Sequence, residues 1–254
     1  MNAPSWQDRI ERASELVELY PAASELLIFY GRVCGFQQSV FEDLRRTGNT
    51  EPAAVARRVP DLCAFVQKEG TATLADYACE LSAKSASVWE VMLRSRWEDH
   101  RTAASAGSAE EFFKRALLQP YAEYLASRGD APREGEGNCP FCGARPVAGV
   151  LRPEGDGAKR SLICSLCATE WKYRRIVCPA CAEADKNKLP VYKAEDIGYV
   201  RVEACDCCRC YLKSVDLTIN GLAVPVVDEL ATVALNLWAE ESGYVKLETN
   251  LLGF

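Results

Sequence analysis

Histidine is almost missing from this 254-residue sequence, in which His100 stands alone. No motif surrounds His100, and it reads as a surface or helix-end residue rather than a ligand. Any complete metal site further along must therefore be built without imidazole. Long apolar runs are missing as well. None approaches the ~18 residues that a bilayer-spanning helix needs, and residues 1–9 carry no apolar stretch of the secretory-signal kind. The expectation is a cytoplasmic protein with no membrane insertion. A basic cluster is also lacking. Residues 1–138 hold 16 Lys and Arg against 21 Asp and Glu, residues 139–213 hold 13 against 9, and residues 214–254 hold 1 against 6. The middle stretch is mildly basic, but eight thiolates on two divalent ions would add a formal charge of −4 and bring it near zero. A neutral ribbon between acidic segments is a poor partner for a phosphate backbone, so no nucleic-acid partner is expected.

The second half, by contrast, is rich in paired cysteine. Cys139/Cys142, Cys164/Cys167, Cys178/Cys181 and Cys205/Cys208 all have CxxC spacing. Two thiolates three residues apart can grip one ion from a tight turn, and two such turns complete a tetrahedral shell. Four turns therefore make two all-cysteine sites of four ligands each. In a reducing compartment, clustered cysteines favour metal over disulfides. The sequential pairing, Cys139/Cys142 with Cys164/Cys167 and Cys178/Cys181 with Cys205/Cys208, closes the shortest loops and matches a duplicated spacing of 21 and 23 intervening residues. Cys207 and Cys210 also have CxxC spacing and rival the fourth pair. They are either incidental or the most reactive thiols in the chain, as a spare redox or metal-transfer dithiol.

Glycine follows only the first pair, as Gly143; Ala168, Ala182 and Arg209 follow the others. A residue at this position of a rubredoxin-type turn often needs positive φ, which glycine supplies freely. The missing glycines weigh towards zinc in a closed shell over redox-tuned iron, although the spacing suits both metals.

A hydrophobic content of 48% suffices for a real core. Residues 1–130 read as an all-helical domain. Trp6, Ile10, Ala13, Val17 and Tyr20 recur at helical spacing after an N-cap signal at Ser5 and Asp8, and Pro21 stops the run. A second helix is expected over about 23–46, with Leu26, Leu27, Tyr30, Val33, Val40, Phe41 and Leu44 as its stripe and Gly48-Asn49 as its end. Shorter helices are expected at 52–58, 61–69, 73–83 and 86–99. Ser108 to Glu111 form a capping box for another, which Pro120 should kink or break. Cys34, Cys63 and Cys79 read as buried free thiols, and this half shows no catalytic constellation.

Residues 131–138 have linker composition. The period then changes to strands near 146–151, 160–163, 169–176, 189–192, 199–204 and 211–219. They form a first tetracysteine ribbon over 139–177 and a second over 178–220. On the strand near 169–176, Trp171 and Tyr173 share one face that would cover the metal sites; Glu170, Lys172 and Arg174 share the other, a partner-binding strip or simply a solvated face. Residues 221–254 should supply a helix over about 226–242, with Val227, Leu230, Ala234, Leu237 and Trp238 on one face, and an apolar tail packing on the body. The fold class is α+β: a helical domain, a double rubredoxin-like or zinc-ribbon domain, and a C-terminal helix.

Several segments carry a family resemblance: Cys139-Pro140-Phe141-Cys142-Gly143, Cys164 through Trp171, Arg174 through Cys181, Val202 through Lys213, Asp228 through Leu235, and Gly243-Tyr244 before an Asn-containing apolar tail. Together they resemble the bacterial formate dehydrogenase accessory protein FdhE, over about residues 139–254. The resemblance implies a cytoplasmic, chaperone-like maturation factor that contacts the selenium- and molybdenum-containing catalytic subunit of formate dehydrogenase and is not itself an enzyme. It also implies Cys205 and Cys208 as ligands over Cys207 and Cys210. Rival readings are a rubredoxin-like iron or thiol-redox protein acting on a redox-enzyme partner and, third, a nucleic-acid-binding zinc ribbon.

Overall fold

The structure, a computed structural model, describes residues 4–99, 107–129 and 135–254, so His100 and residues 131–134 of the expected linker lie outside the described residues. Helices α1 (Trp6–Leu19), α2 (Ser24–Thr47), α3 (Ala53–Ala56), α4 (Val59–Glu69), α5 (Ala72–Ser82), α6 (Ala86–Glu98) and α7 (Ala109–Ser127) come first. Local signals set several of their ends. Ser5 and Asp8 cap α1 reciprocally, side chain to backbone in both directions. Gly48, at φ 70°, ends α2 in the left-handed conformation that glycine adopts without strain.

Two local expectations give way to tertiary contacts. Pro120 neither kinks nor breaks α7, which runs through it from Ala109 to Ser127. Proline removes the N–H that would bond the carbonyl of Ala116. Gln37, fully buried on α2, donates its Nε2 to that carbonyl at 3.1 Å instead. The capping box at Ser108 forms only by half. Ser108 Oγ accepts from Glu111 N, but the Glu111 carboxylate turns inward to Arg96 and Arg115. Of the three helical-domain cysteines, Cys34 and Cys63 are buried, and burial pushes their thiols up to about 12 and about 11. Cys79 is exposed, contrary to expectation: its sulfur accepts from the exposed Gln67 Nε2 of α4 at 3.4 Å rather than entering the core.

Strands β1 (Pro146–Glu154), β2 (Gly157–Cys164), β3 (Glu170–Lys172), β4 (Val191–Lys193), β5 (Val200–Ala204) and β6 (Cys210–Asp216) form one sheet in the order β3-β2-β1-β6-β5-β4. A two-residue strand β7 (Val245–Lys246) pairs parallel with the start of β6. Each half of the sheet repeats one plan: a cysteine turn, two antiparallel strands, a second cysteine turn, then a third strand on the second. The parallel pairing of β1 with β6 joins the halves head to tail. Gly149 makes this join close, because a Cβ there would come within 2.1 Å of Ser214 Oγ.

The C-terminal helix is not one element. It divides into α8 (Pro225–Ala231) and α9 (Val233–Glu241) at Thr232. The fully buried Lys213 of β6 causes the break: its Nζ donates to the carbonyls of Glu229 and Thr232, satisfying the end of α8. The break rotates the apolar face. Val227 and Leu230 are buried as expected, but Leu235, Asn236 and Ala239 follow them inward, leaving Ala234, Leu237 and Trp238 exposed.

One hydrophobic core runs from the helices through the first cysteine group to α8 and Leu251 of the tail. A smaller core under β5 and β6 serves the second half of the sheet. Two buried ion clusters stitch these layers. Arg12 of α1 makes a bidentate pair with Asp228 of α8, which also accepts from Tyr199 and from Val224 N. Glu229 pairs with Lys213 and Lys246, and Asn250 donates to its other oxygen.

Candidate metal centre

The turns 139–142 and 164–167 bring Cys139, Cys142, Cys164 and Cys167 together, and the turns 178–181 and 205–208 do the same for Cys178, Cys181, Cys205 and Cys208. Within each group all four sulfurs lie within 4.8 Å of one another. The close approaches are 3.6 Å for Cys139–Cys167, 3.4 Å for Cys142–Cys164, and 3.7 Å for both Cys178–Cys208 and Cys181–Cys205. Tetrahedral bonds of about 2.3 Å place sulfurs ~3.8 Å apart, so the donor set fits a four-thiolate divalent ion. Among the described residues these are the groups of this type, and Cys207 and Cys210 belong to neither.

The four turns share a backbone. The N–H of the first cysteine bonds the carbonyl five residues on: Cys139 to Ala144, Cys164 to Thr169, Cys178 to Glu183 and Cys205 to Cys210. Amides also point at sulfur, with Leu166 and Cys167 N–H on Cys164 and Ala180 N–H on Cys178. Gly143, Ala168, Ala182 and Arg209 all have positive φ, at 84°, 52°, 61° and 58°. This corrects the inference drawn from the missing glycines. The chain imposes the left-handed turn on two alanines and an arginine, at about 1 kcal/mol or more each, so glycine content here does not separate zinc from iron. Arg209 is held by bonds to the Ser242 and Gly243 carbonyls and lies 4.0 Å from the Tyr244 ring centroid.

The two groups differ in burial. All four sulfurs of the first belong to buried residues within the main core, where Trp171, 1% exposed, packs with them. Burial pushes the Cys164 thiol well up, so a thiolate there needs a cation beside it. The second group lies at the surface: Cys181 is exposed and Cys208 half-buried. Tyr173 links the two, donating from its hydroxyl to the Cys178 carbonyl. On the other face of β3, Glu170 is taken up by Arg152, while Lys172 and Arg174 remain exposed. Cys207 is exposed on the outer rim of the second group, and Cys210 sits half-buried at the start of β6.

Sequence reasoning missed the charged residues that hold these parts in place. Asp228 and Glu229 stand in a motif read only for its resemblance, yet both are fully buried and ion-paired. Their adjacency to Leu230 and Ala231 on a short apolar helix was the available signal. No helix among the described residues is long and apolar enough to cross a membrane.

A helical layer joined to a tandem ribbon with two tetracysteine groups defines an α+β scaffold of the metal-binding kind. Family models described as "FdhE, central domain" and "FdhE, C-terminal domain" match residues 138–175 and 164–252. The chain is 34% identical to a "Protein FdhE homolog" of Aquifex aeolicus over 146 residues, covering 56% of this chain but only about half, 52%, of that relative. A homologue from Pseudomonas aeruginosa is 28% identical over 278 residues, covering 96% of this chain and 88% of that one. The crystal structure of the FdhE protein from Pseudomonas aeruginosa superposes with a TM-score of 0.75 at 25% identity, covering 98% of this chain and 95% of that one. The chain is thus similar to FdhE proteins, in sequence over residues 138–252 and in fold over 98% of its length.

Proposed function

We propose that this protein is a cytoplasmic accessory factor for the maturation of formate dehydrogenase, acting by binding the enzyme's catalytic subunit rather than by catalysis. The family match over both halves of the ribbon and the similarity of the whole fold to an FdhE structure support this reading. Cys139, Cys142, Cys164 and Cys167 hold one divalent ion, and Cys178, Cys181, Cys205 and Cys208 hold the other. The metals are structural: each would tie together two turns that are well separated along the chain. Zinc is the metal we favour, because a closed shell of four thiolates is its usual structural site.

The carrying observation is the pair of tetracysteine groups within a fold that matches FdhE from end to end. The test is a pull-down from cells producing formate dehydrogenase, paired with elemental analysis of the purified chain. We expect the catalytic subunit to be retained and two metal ions per chain. Failure to retain it from cells that make active enzyme overturns the accessory reading; less than one metal per chain overturns the ligand assignment.

A second reading rests on one observation. All four turns carry the positive φ of rubredoxin-type sites, which suits an iron centre at the exposed second group. A red, reversibly bleachable spectrum of the purified protein would select it over colourless zinc.

A further inference from the structure

Strand register brings several charged and apolar side chains onto one face of the sheet. Glu203 pairs with Leu212 on one side and with Val191 on the other, so these three share a face, and Arg201, two residues from Glu203, joins them. Steps of two from Leu212 to Ser214 and from Gly149 to Leu151, joined by the pairs Ser214 with Gly149 and Leu151 with Arg160, carry the same face across to Arg160 of β2. A cavity of about 360 Å³ is lined by this face and by residues 175–179, which lead into the second cysteine group. Arg160 ties its two walls together, since Nη1 donates to the carbonyls of Arg174 and Val177 at 2.9 and 3.3 Å. The volume falls at the lower end of ligand-sized sites.

Charge on this face does not balance. Glu203 is the one carboxylate among the lining residues, and it meets both Arg160 and Arg201, each at 2.6 Å. Two guanidiniums on one carboxylate leave a surplus of one positive charge. Arg160, 4% exposed, also keeps its Nε buried with no hydrogen-bond partner among the described residues, and buried donors in folded proteins are almost always paired. Arg175 and Lys186 add two exposed cations to the lining. Set against Glu203 and the formal −2 of a divalent ion in the four thiolates alongside, these four cations leave the cavity positive by one, in a chain whose net charge is −6. Two apolar lining residues, Ile176 and Val191, are 52% and 51% exposed. Apolar side chains left half in water within a charged rim mark a contact surface.

We propose that this cleft is the docking site for an acidic segment of a partner polypeptide, with an aliphatic side chain of the segment seated against Ile176, Val191 and Leu212 and its carboxylates facing the four cations. A carboxylate brought to the Arg160–Arg201 pair makes the buried set two against two, which removes the uncompensated charge. Charge-assisted bonds from guanidinium to carboxylate are roughly twice as strong as neutral ones. The positive cleft on an otherwise acidic chain also steers an acidic segment to this place. The proposal rests on the accessory reading for one point, that the partner is a protein. Peptide binding at the cleft and retention of a catalytic subunit are separate measurements, and each can fail alone.

The test titrates the metal-loaded full-length chain with the capped peptide acetyl-Glu-Asp-Leu-Asp-Glu-amide, followed by calorimetry and amide NMR. The comparison probes are its counterpart with Gln and Asn for the acids, its counterpart with serine for leucine, and a short single-stranded DNA. We expect saturable binding of the acidic peptide tighter than about 1 mM, with shifts at amides around Arg160, Val191 and Leu212. The uncharged peptide should bind about tenfold more weakly or worse, and the serine peptide about fivefold. Rising salt should weaken the acidic peptide. Arg175→Ala with Lys186→Ala changes only exposed side chains, so thermal stability should hold while binding weakens about tenfold. Ile176→Asp, also exposed, should weaken it independently by placing a like charge at the cleft. The proposal is overturned if the uncharged peptide binds as well as the acidic one, if the shifts fall elsewhere on the chain, or if both variants fold and bind unchanged. Tighter binding of the DNA than of the peptide would also overturn it, as the mark of a phosphate-backbone surface.

Discussion

Gln119 of α7 donates from Nε2 to the carbonyl of Ser165 at 2.9 Å, tying the helical layer to the turn that carries Cys164 and Cys167. The 205–208 turn of the second group is tied instead to the segment after α9, where Tyr244 Oη donates to Asp206 at 2.6 Å. One cysteine group is therefore set inside the main core and the other at its edge.

That asymmetry predicts the order of metal loss. A chelator should remove one equivalent quickly, from the group containing the exposed Cys181, and the other only as the protein unfolds. Two-phase release followed with a metal-sensitive dye checks this, and Cys181→Ser should erase the fast phase. Release of both ions in one phase would contradict the assignment.

Asp228→Asn should cost about 3–5 kcal/mol, because it leaves the Arg12 guanidinium buried opposite an uncharged group. Urea unfolding measures the loss. Arg12→Met in the same background should recover part of it by removing the stranded charge, and no recovery would show that the pair is not the cause.

Gly137→Ala should loosen the second group without touching a ligand. A Cβ at this position would lie 2.1 Å from the carbonyl oxygen of Pro179, inside the turn that holds Cys178 and Cys181. Backbone cannot yield as a flexible side chain does, so we expect faster metal loss from that group and a lower Tm. An unchanged release rate would refute the contact.

Acid should release the tail. Burial by itself would raise the Glu229 carboxyl, but Lys213 and Lys246 outweigh it and hold it down at about 2, against 4.5 for an ordinary glutamate. The unfolded chain then binds the extra proton, so the stability this group supplies is present above pH 4.5 and is lost as the pH falls towards 2. Urea titrations should show a decline that starts below about pH 4.5. Amides of residues 245–254, which Lys246 and Asn250 anchor, should lose exchange protection in the same range. Constant stability down to pH 3 would count against it.

Where one residue speaks to its near neighbours, the sequence was legible. Ser5 and Asp8 cap α1, and Gly48 closes α2, because the bonds involved span only three or four residues. The CxxC turns follow the same logic. The straight course of α7 through Pro120 and the break between α8 and α9 were not legible, because the partners that decide them, Gln37 and Lys213, are 83 residues from Pro120 and 19 from Thr232. The missing glycines misled for a related reason: the tertiary framework holds Ala168, Ala182 and Arg209 in a conformation that local preference disfavours.

Spacing and composition alone bring eight cysteines into two all-sulfur groups in a ribbon that follows a helical half, since ligand spacing in a tight turn and the lack of histidine are local facts. Folding settles the rest. It selects Cys205 and Cys208 over Cys207 and Cys210 as members of the second group. It seals one group and exposes the other. Those outcomes depend on which surfaces of distant segments meet, and burial of apolar area, paired charges and close backbone approaches at Gly137 and Gly149 decide that only once the whole chain is in place.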